Sequence, residues 1–371
     1  MHILLVINNP VGGIRTYLRY VYGQPCFQDF RFTLIAPDVN FSEYLKETGL
    51  SDIIEFVNVE NSHLAFLKTI RRLLRTKHFD LIHSHGFKSG VICEVAKTGK
   101  NIRHLMTTHD VFLPKQFQGH KGIIKKQFLQ LIFKRITCIN PVSEDAKNNL
   151  LEHFKYIDPE KVYAIHNGID VENYEKARPF DMHGFTGIDK NRYLIGFFGR
   201  FMAQKGFRDL VDAIEMLVKK DQLNPMPMVL TFGWGGFIRE DYQYITEKNL
   251  REYFVQLPHT DDVPAALKSV DMVAMPSLWE ACSLLAMEAL TAGTPLIATN
   301  CIGLREILKD TPAKIVPPQN PKALAQAIEA FVASPPKKEF QLFAEQARQR
   351  FSVKHSAVEL HNLYITIKIH S

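Results

Sequence analysis

Short apolar segments that alternate with helical patterns constrain this chain more than any other feature. In the first half, the segments of strand type are Ile3–Ile7, Phe32–Ile35, Ile53–Val57, Leu81–His83, His104–Thr107, Arg135–Asn140 and Val162–Ile165. Between two of them, apolar residues recur at helical spacing from residue 64 to residue 74. Strands that alternate with helices form a parallel sheet that helices cover on both faces. The sequence therefore predicts an α/β fold.

The second half repeats this alternation and predicts a second domain. Its segments of strand type are Tyr193–Gly199, Met228–Phe232, Phe254–Leu257, Met272–Met275, Leu296–Ile297 and Lys314–Val316. Residues 167–190 separate the two series and are polar, rich in Gly and Pro and without a clear period, as a linker is. We therefore predict two domains, residues 1–175 and 176–351, with a ligand in the cleft between them.

The composition excludes several classes of protein. Apolar residues make up 46% of the chain, which excludes a disordered protein. The sequence shows no apolar stretch of roughly 18 residues and no secretory leader, so we expect neither a membrane helix nor a signal peptide. Its five cysteines are scattered without a Cys-x-x-Cys pair, which favours a reducing cytoplasm. The 45 basic residues exceed the 39 acidic ones only slightly and lack interleaved aromatic residues, so we expect no nucleic-acid partner.

Two loops that join a predicted strand to a predicted helix carry residues suited to a phosphate group. Gly12 and Gly13 follow the first strand and let the backbone approach a ligand closely, although a tight structural turn explains them equally well. Arg200 and Lys205 lie five residues apart in a loop of the second half and can converge on one anion. The alternative for this pair is two solvated cations on the surface.

A third candidate is a pair of carboxylates. Glu280 and Glu288 have seven residues between them, and Ser283 is a suitable N-cap for a helix that runs through residue 292. Glu280 then lies in the loop before the helix, and the free amides of Leu284 and Leu285 point at an anion. Two glutamates at this separation also occur by chance, so their role depends on the surrounding motifs.

The ordered set of motifs resembles the retaining nucleotide-sugar glycosyltransferases of family 4, which have the GT-B fold. The matching motifs are Gly12-Gly13, Asp80–His85, Thr108-His109-Asp110, Pro141–Glu144, Asn167–Asp170, Gly199-Arg200 with Lys205-Gly206, and Glu280 to Glu288 followed by Ala292–Ala298. The resemblance implies two Rossmann-like α/β domains that face each other across a cleft. It also implies that a C-terminal helix, residues 352–371, crosses back to the first domain.

The resemblance assigns roles to individual residues. It places Arg200 and Lys205 on the diphosphate of the donor, Glu280 on hydroxyls of the transferred sugar, and Glu288 on the ribose. Fixed cations suit this chemistry, because the leaving nucleoside diphosphate gains negative charge as the glycosidic bond breaks. A carboxylate is a good acceptor for vicinal hydroxyls.

In the first domain, the resemblance places His109 in the active-site cleft, in contact with the transferred sugar. From the residues alone, a histidine of the core or of a helix start is the alternative. His83 and His85 end a strand at the same edge and either line the cleft or have a structural role. Gly12 and Gly13, by the same resemblance, let the first domain close over the phosphates or the acceptor.

We expect no metal and no cofactor besides the nucleotide-sugar co-substrate. The chain has no Asp-x-Asp motif, by which many single-domain glycosyltransferases hold a metal ion, and Arg200, Lys205 and helix amides would replace it. The resemblance implies a same-face substitution in which the leaving phosphate takes the acceptor proton. One departure from the family pattern is Ser283, which follows Cys282 where the family commonly has glycine, and its side chain narrows the pocket or caps the helix.

Two basic segments in the first half suggest an anionic membrane surface as a further partner. The first contains Lys68, Arg71, Arg72, Arg75 and Lys77. The second contains Lys115, Lys121, Lys125, Lys126, Lys134 and Arg135 beside Ile123, Ile124, Phe128, Leu131 and Ile132. Basic residues beside an apolar stripe can seat a helix on anionic lipid, and the alternative is a solvated helix whose stripe faces the core.

We expect the acceptor to be a glycan or a lipid-linked molecule of cell-envelope or polysaccharide synthesis. If the membrane interpretation holds, the protein lies on the cytoplasmic membrane face and its acceptor is lipid-linked. The loop Gln256–Asp262 would contact the base through its main chain, which leaves the nucleotide open. Two other functions also stay open. One is a non-catalytic nucleotide-sugar-binding partner of another transferase, which the departure at Ser283 suggests. The other is a GT-B nucleotide-sugar epimerase, which shares the fold but not this spacing of glutamates.

Overall fold

The chain forms two compact units in the computed structural model, which describes residues 1–220, 223–258, 260 and 262–369. The first unit comprises Met1–Gly168 and the segment from Val353 onward, and the second comprises Ile169–Ser352. The first boundary therefore follows Gly168, where the sequence analysis placed it after residue 175. The C-terminal segment belongs to the first unit, as the resemblance implied.

The first unit is built on a parallel sheet. Its strands are β1 (His2–Ile7), β2 (Arg31–Ala36), β3 (Ile54–Asn58), β4 (Leu81–His85), β5 (Arg103–Thr108) and β6 (Cys138–Pro141). The helices before residue 169 are α1 (Gly13–Tyr22), α2 (Phe41–Glu47), α3 (His63–Thr76), α4 (Phe87–Ala96), α5 (Gly119–Arg135) and α6 (Glu144–His153). The strand order is β3-β2-β1-β4-β5-β6, so the order reverses between β1 and β4. Open α/β sheets bind ligands at the carboxyl ends of the strands beside such a reversal.

The second unit repeats this plan. Its helices are α7 (Val171–Lys176), α8 (Met182–Thr186), α9 (Phe207–Lys220), α10 (Ile238–Glu247), α11 (Val263–Lys268), α12 (Leu284–Ala292), α13 (Arg305–Leu308), α14 (Pro321–Ala333) and α15 (Lys337–Phe351), and α16 (Val353–Ile369) returns to the first unit. Its strands are β7 (Leu194–Phe198), β8 (Met228–Phe232), β9 (Phe254–Leu257), β10 (Met272–Met275), β11 (Leu296–Thr299) and β12 (Lys314–Val316). They pair in parallel in the order β12-β11-β10-β7-β8-β9, which reverses between β7 and β10.

One predicted strand, Val162–Ile165, is wrong. Val162 forms a single parallel bridge with Ile139, and the described residues 163–165 are not part of a strand. The carbonyl of Tyr163 accepts a hydrogen bond from the side-chain amide of Asn140 at 2.9 Å instead of from a backbone N–H. In a parallel ladder this carbonyl would accept from the N–H of residue 141, but Pro141 has none. The ladder therefore ends there, although the amides of Tyr163 and Ile165 still donate to the carbonyls of Ile139 and Pro141.

The predicted linker at residues 167–190 is also corrected. Most of it belongs to the second unit and contains α7 and α8. The carboxylate of Asp181 accepts a hydrogen bond from the amide of Gly184 at 2.9 Å and so caps the start of α8. Helices of six and five residues are too short to show a period in the sequence.

The helix α3 carries the first of the two basic segments. Its apolar residues Phe66, Ile70 and Leu73 are buried in a core cluster with Leu4 and Val6 of β1. The alternative interpretation, an apolar stripe that faces the core, is therefore correct for this helix. Across the described residues, the helices are all too short or too polar to span a bilayer.

Gly206, which ends the loop after β7, offers a test of this packing. Its φ is +64°, and a Cβ there would lie 2.0 Å from the carbonyl oxygen of Pro276 after β10. Gly187 has nearly the same backbone, φ +70°, but a Cβ there would meet nothing within 4 Å. We expect Gly187→Ala to lower the free energy of unfolding by about 1 kcal/mol, the cost of a left-handed alanine. Gly206→Ala should cost about 1–3 kcal/mol more because of the clash, as measured by denaturant unfolding.

Equal losses in the two variants would contradict the close approach of the two loops. Both glycines lie in the second unit, so the comparison reports on one folded body.

Candidate functional site

The loop after β7 carries both predicted cations. Gly199 has φ +127°, and its amide donates to the carbonyl of Phe232 at 3.0 Å, which ties the loop to the end of β8. The guanidinium of Arg200 is half-buried and, within the described residues, makes no hydrogen bond or ion pair. A short 3-10 turn over Ala203–Lys205 then aims Lys205 toward the neighbouring loop. The loop thus carries two cations, Lys205, which pairs with a carboxylate of the neighbouring loop, and Arg200, which is available to a ligand.

Lys205 forms an ion pair with Glu280 in the loop after β10. Its Nζ lies 2.7 Å from Oε1 of Glu280, and the hydroxyl of Ser277 donates to the same oxygen at 2.8 Å. Glu280 is 7% exposed, so these two donors hold it in one orientation. The second carboxylate oxygen takes part in no hydrogen bond among the described residues. One oxygen of Glu280 is therefore fixed, and the other is available to a ligand.

The backbone around Glu280 is held by a third loop. Its amide donates to the carbonyl of Ile302 at 2.9 Å. Gly303, with φ +76°, lies so close that a Cβ would be 2.3 Å from the carbonyl oxygen of Glu280. Neither Ser277 nor Gly303 was recognised from the sequence. For Gly303, a lone glycine between a strand and a helix was the only available signal.

The helix α12 begins where the sequence analysis placed it. Ser283 is its N-cap residue, and the helix runs from Leu284 to Ala292. Within the described residues, the Ser283 side chain makes no capping hydrogen bond, so it does not occupy the first amides of the helix, at Leu284 and Leu285. Glu288 lies in the second turn and is 9% exposed. These residues share the carboxyl edge of the sheet with Glu280.

The glycine pair of the first unit lies between β1 and α1. Gly12 is the N-cap residue, with φ 60° and ψ −135°, a conformation suited to glycine. At Gly13 a Cβ would meet nothing within 4 Å, so the space beside the helix start is open. Arg15 in the first turn is already engaged, because its guanidinium donates to the carbonyls of Pro10 and Val39. Among the described residues, Arg15 is thus held away from the space beside Gly13.

His109 follows β5 at the carboxyl edge of the first sheet. Its Nε2 lies 3.0 Å from Nδ1 of His85, and the Tyr17 ring packs against it edge-on, with centroids 4.9 Å apart. Burial lowers the pKa of His109 to about 4, so the ring is neutral at neutral pH. His109 thus takes part in a polar cluster and is not an isolated core histidine.

His83 and His85 have structural roles. Both are fully buried, and because strand side chains alternate, they share one face of β4. His83 bonds Tyr364 of α16 and Thr107 of β5, and His85 bonds Tyr22 of α1. Burial lowers the pKa of both rings well below the usual value. Of the two interpretations left open by the sequence, the structural one is correct.

The loop predicted to contact the base, Gln256–Asp262, is described in part. Residues 259 and 261 lie outside the described residues. Asp262 caps α11, because its Oδ1 accepts from the amide of Ala265 at 3.0 Å. As for metal ligands, the described part of the chain contains no group of three or more His, Cys, Asp or Glu side chains that could hold an ion.

Two family models match this chain, one in each unit. "Glycosyltransferase Family 4" matches residues 11–173, and "Glycosyl transferases group 1" matches residues 192–334. With the two parallel sheets and the cation–carboxylate loops, these matches define a glycosyltransferase with two Rossmann-like domains. The chain belongs to the family 4 glycosyltransferases of GT-B fold.

Curated relatives are distant and bear transferase names. The UDP-Gal:alpha-D-GlcNAc-diphosphoundecaprenol alpha-1,3-galactosyltransferase of Escherichia coli is 26% identical over 258 residues, which are 66% of this chain and 64% of that protein. The chain therefore spans less than two thirds of this relative's length. The D-inositol 3-phosphate glycosyltransferase of Corynebacterium urealyticum is 25% identical over 302 residues, 77% of this chain and 71% of that one.

Solved structures share the fold over nearly the whole chain. HepE of Anabaena, in complex with UDP-glucose, has a TM-score of 0.84 at 21% identity and covers 99% of this chain and 100% of its own. Sucrose-phosphate synthase from Thermosynechococcus elongatus has a TM-score of 0.81 at 19% identity, with all of both chains covered. At this identity the likeness concerns the fold.

The buried histidines predict a pH dependence of stability. The pKa values of His83, His85 and His109 are lowered by burial, whereas in the unfolded chain they return to about 6.5. The unfolded state therefore binds more protons below that pH. The free energy of unfolding should be at its full value above about pH 6.5 and should fall as the pH falls toward about 4. Each histidine contributes at most about 1.4 kcal/mol per pH unit in this window, measurable by denaturant unfolding.

Carboxylates also titrate at the acid end of this window and change the free energy of unfolding. His109→Gln therefore provides the comparison that isolates the contribution of His109. This variant should show a shallower fall than the wild type between about pH 6.5 and 4. Parallel curves would mean that His109 has an ordinary pKa in the folded protein.

Proposed function

We propose that the protein transfers a sugar from a nucleotide-diphosphate sugar to a glycan or lipid-linked acceptor, with retention of configuration and without a metal. The observation that carries this proposal is the ion pair of Lys205 and Glu280, beside the available guanidinium of Arg200. The two loops lie at the strand-order reversal of the second unit. They combine positive charge for a diphosphate with a carboxylate for sugar hydroxyls.

The cations suit a leaving group that gains charge. An ammonium has three donor hydrogens, so Lys205 can keep its bond to Glu280 and still donate to a phosphate oxygen. Arg200 offers a planar fork that matches two phosphate oxygens. Both interactions strengthen as the bond between sugar and phosphate breaks, and they therefore stabilise the transition state more than the bound donor.

Glu280 positions the transferred sugar. Lys205 and Ser277 hold one of its oxygens, so the other accepts from a sugar hydroxyl without loss of side-chain freedom on binding. Its negative charge also supports the positive charge that develops on the sugar ring. We propose His109 as the contact to the same sugar from the first unit.

The remaining predicted residues complete the donor site in this proposal. The carboxylate of Glu288 accepts from the ribose hydroxyls, and the first amides of α12, at Leu284 and Leu285, donate to phosphate. Gly12 and Gly13 let the start of α1 approach the phosphates or the acceptor, consistent with the open space beside Gly13.

The proposed reaction is a substitution on one face of the sugar. The bond from the anomeric carbon to the phosphate oxygen breaks, and the acceptor oxygen forms a bond on that same face. The acceptor proton passes to the departing phosphate oxygen. Arg200, Lys205 and the helix amides balance the charge of the diphosphate, which is why we propose no divalent metal or other cofactor.

The acceptor is proposed from the names of the relatives. One of them is a galactosyltransferase whose named acceptor is a GlcNAc-diphosphoundecaprenol, and another is named for inositol phosphate. We propose a glycan or lipid-linked acceptor of cell-envelope or polysaccharide synthesis for this chain, and the lipid-linked acceptor in the first of these names supports it.

Substitution of the two paired residues tests the donor site. Glu280→Gln should lower sugar transfer by about 10²-fold or more, because the amide carries no charge to support the sugar, while it keeps the thermal shift caused by the nucleoside diphosphate. Lys205→Ala should lower both the rate of sugar transfer and the thermal shift caused by the nucleoside diphosphate. The measurements are transfer or donor hydrolysis with UDP-, GDP- and ADP-sugars, and thermal shifts with UDP, GDP and ADP.

Lys219→Ala is the matched control, since Lys219 lies on α9 in an exposed ion pair with Glu215. Wild-type activity in both site variants would overturn the proposal. A thermal shift with neither transfer nor hydrolysis would favour the non-catalytic binding partner, and isomerisation of the sugar without acceptor would favour an epimerase. Loss of activity in EDTA, restored by a divalent ion, would overturn metal independence.

We further propose that α5 seats the first unit on an anionic membrane at its cytoplasmic face. Leu129, Ile132 and Phe133 of this helix are buried in the core. A second apolar group is between 47% and 66% exposed and consists of Ile123, Ile124, Phe128 and Leu131. The same helix carries the exposed basic residues Lys121, Lys125, Lys134 and Arg135, of which Arg135 also lies 3.7 Å from the carboxylate of Glu94. Residues 111–143 contain no acidic side chain, so the whole segment favours anionic lipid.

Vesicle binding tests this surface. The variant Ile124→Ser/Phe128→Ser/Leu131→Ser should bind phosphatidylglycerol vesicles at least about tenfold more weakly than the wild type in co-sedimentation. Leu342→Ser is the control, because Leu342 is 73% exposed on α15 of the second unit. Equal binding by the triple variant, or no binding by the wild type, would contradict the proposal.

A further inference from the structure

A continuous chain of side-chain hydrogen bonds runs through the buried part of the first unit and ends at His109. All of its members except His109 are fully buried, and they come from α1, β4, β5, β6 and α16. In order from the outside they are His109, His85, Tyr22, Tyr364, His83, Thr107 and Asn140. The donor and acceptor at each link can be worked out from the inner end.

The inner end is anchored by the amide of Asn140. Its NH2 group donates to the backbone carbonyls of Tyr163 at 2.9 Å and Pro141 at 3.2 Å. Its Oδ1 is therefore the acceptor, and the hydroxyl of Thr107 donates to it at 2.9 Å. Because the single hydroxyl hydrogen of Thr107 is used here, its oxygen can only accept from its other neighbours.

Thr107 sets the direction of the hydrogen bonds that His83 makes. Nε2 of His83 lies 2.7 Å from the Thr107 oxygen and must donate to it, so the proton of this ring is on Nε2. Nδ1 of His83 then carries the lone pair, and the hydroxyl of Tyr364 donates to it at 2.5 Å.

The same direction continues to the outside. The Tyr364 oxygen, with its hydrogen already used, accepts from Tyr22 at 2.9 Å. The oxygen of Tyr22 accepts from Nε2 of His85 at 3.2 Å, so Nδ1 of His85 is left as the acceptor for Nε2 of His109 at 3.0 Å. The two rings have centroids 5.3 Å apart, which places both nitrogens between the ring centres, as an in-plane hydrogen bond requires.

We propose that this chain sets the tautomer of His109, with the proton on Nε2 and the lone pair on Nδ1, so that Nδ1 accepts a hydroxyl hydrogen of the transferred sugar. The part about the sugar rests on the proposed function. Tyr22 is the positioning residue in this proposal, since it is the link between the anchored inner half and the two outer histidines. Within the described residues, the contacts of His109 leave Nδ1 available.

The reverse direction satisfies fewer groups. If Tyr22 donated to His85 across 3.2 Å, the oxygen of Tyr364 would lose its donor at 2.9 Å. The lowered pKa of His109 also indicates that its lone pair is weakly basic. Nδ1 therefore acts as a hydrogen-bond acceptor and not as the base that removes the acceptor proton.

Two tyrosines of this chain form a matched pair of tests. Tyr22→Phe removes the link to His85, so the fixed direction is lost and His109 with the proton on Nδ1 should become populated. Tyr364→Phe removes an equally buried hydroxyl, but Tyr22 lies 3.1 Å from Nδ1 of His83 and can donate to it directly. The second variant should therefore keep the wild-type tautomer.

The measurement is nitrogen-15 NMR of the imidazole rings of the full-length protein, in which protonated and unprotonated nitrogens resonate in separate ranges. His109→Gln assigns the signal. The expected result is a proton on Nε2 in the wild type and in Tyr364→Phe, and a mixture in Tyr22→Phe. A proton on Nδ1 in the wild type, or equal effects of the two variants, would overturn the proposal. If Tyr22→Phe does not fold, Thr107→Val replaces it, because it removes the anchor of His83.

A kinetic measurement separates this inference from the proposed function. With the donor sugar that gives activity, Tyr22→Phe should lower kcat/KM about two- to tenfold, the range of one hydrogen bond, and Tyr364→Phe should change it less than about twofold. If the protein shows the expected tautomers but no transfer activity, the hydrogen-bond chain stands. Only its link to the sugar is then overturned. Expected tautomers with unchanged kcat/KM in an active Tyr22→Phe would likewise overturn the contact to the sugar.

Discussion

The parallel pairing of strands that are distant in sequence is the constraint on which the candidate site depends. β10 pairs with β7 through Met272 with Ile195 and Val273 with Gly196. All strands of a parallel sheet end at one edge, so the loops after β7 and β10 meet there. Lys205 reaches Glu280 for this reason, although 75 positions separate them. The first unit uses the same geometry at β1 and β4.

A second constraint comes from polar side chains in the middle of the first sheet. Buried polar groups cost free energy unless they are hydrogen-bonded, so each polar side chain of β4 must find hydrogen-bond partners on its own face of the sheet. His83 and His85 find them in the tyrosines of α1 and α16. On the opposite face, Ser84 bonds His104, which bonds the buried carboxylate of Glu94. These partners are one physical reason why the C-terminal helix belongs to the first unit.

Much of the fold was predictable because its strands are buried on both faces and read as uninterrupted apolar segments. Twelve of the predicted segments correspond to the strands of the described chain, and the start of α12 at Ser283 was also correct. Val162–Ile165 failed because Pro141 of the neighbouring strand has no N–H to continue the ladder, so the side-chain amide of Asn140 bonds the Tyr163 carbonyl instead, which no hydrophobic pattern records. Ser277, Gly303 and Tyr364 escaped notice because their roles depend on neighbours that only the fold supplies.

The sequence by itself determined the class of fold, the family resemblance and the loops that carry Arg200, Lys205 and Glu280. These follow from local order along the chain, that is, from apolar period, turn residues and motif spacing. The tertiary structure alone decided that one oxygen of Glu280 is held by Lys205 and Ser277 and that His109 ends a buried chain of hydrogen bonds. The reason is that hydrogen bonds between distant residues depend on distance and direction in space, which packing creates and residue order does not record.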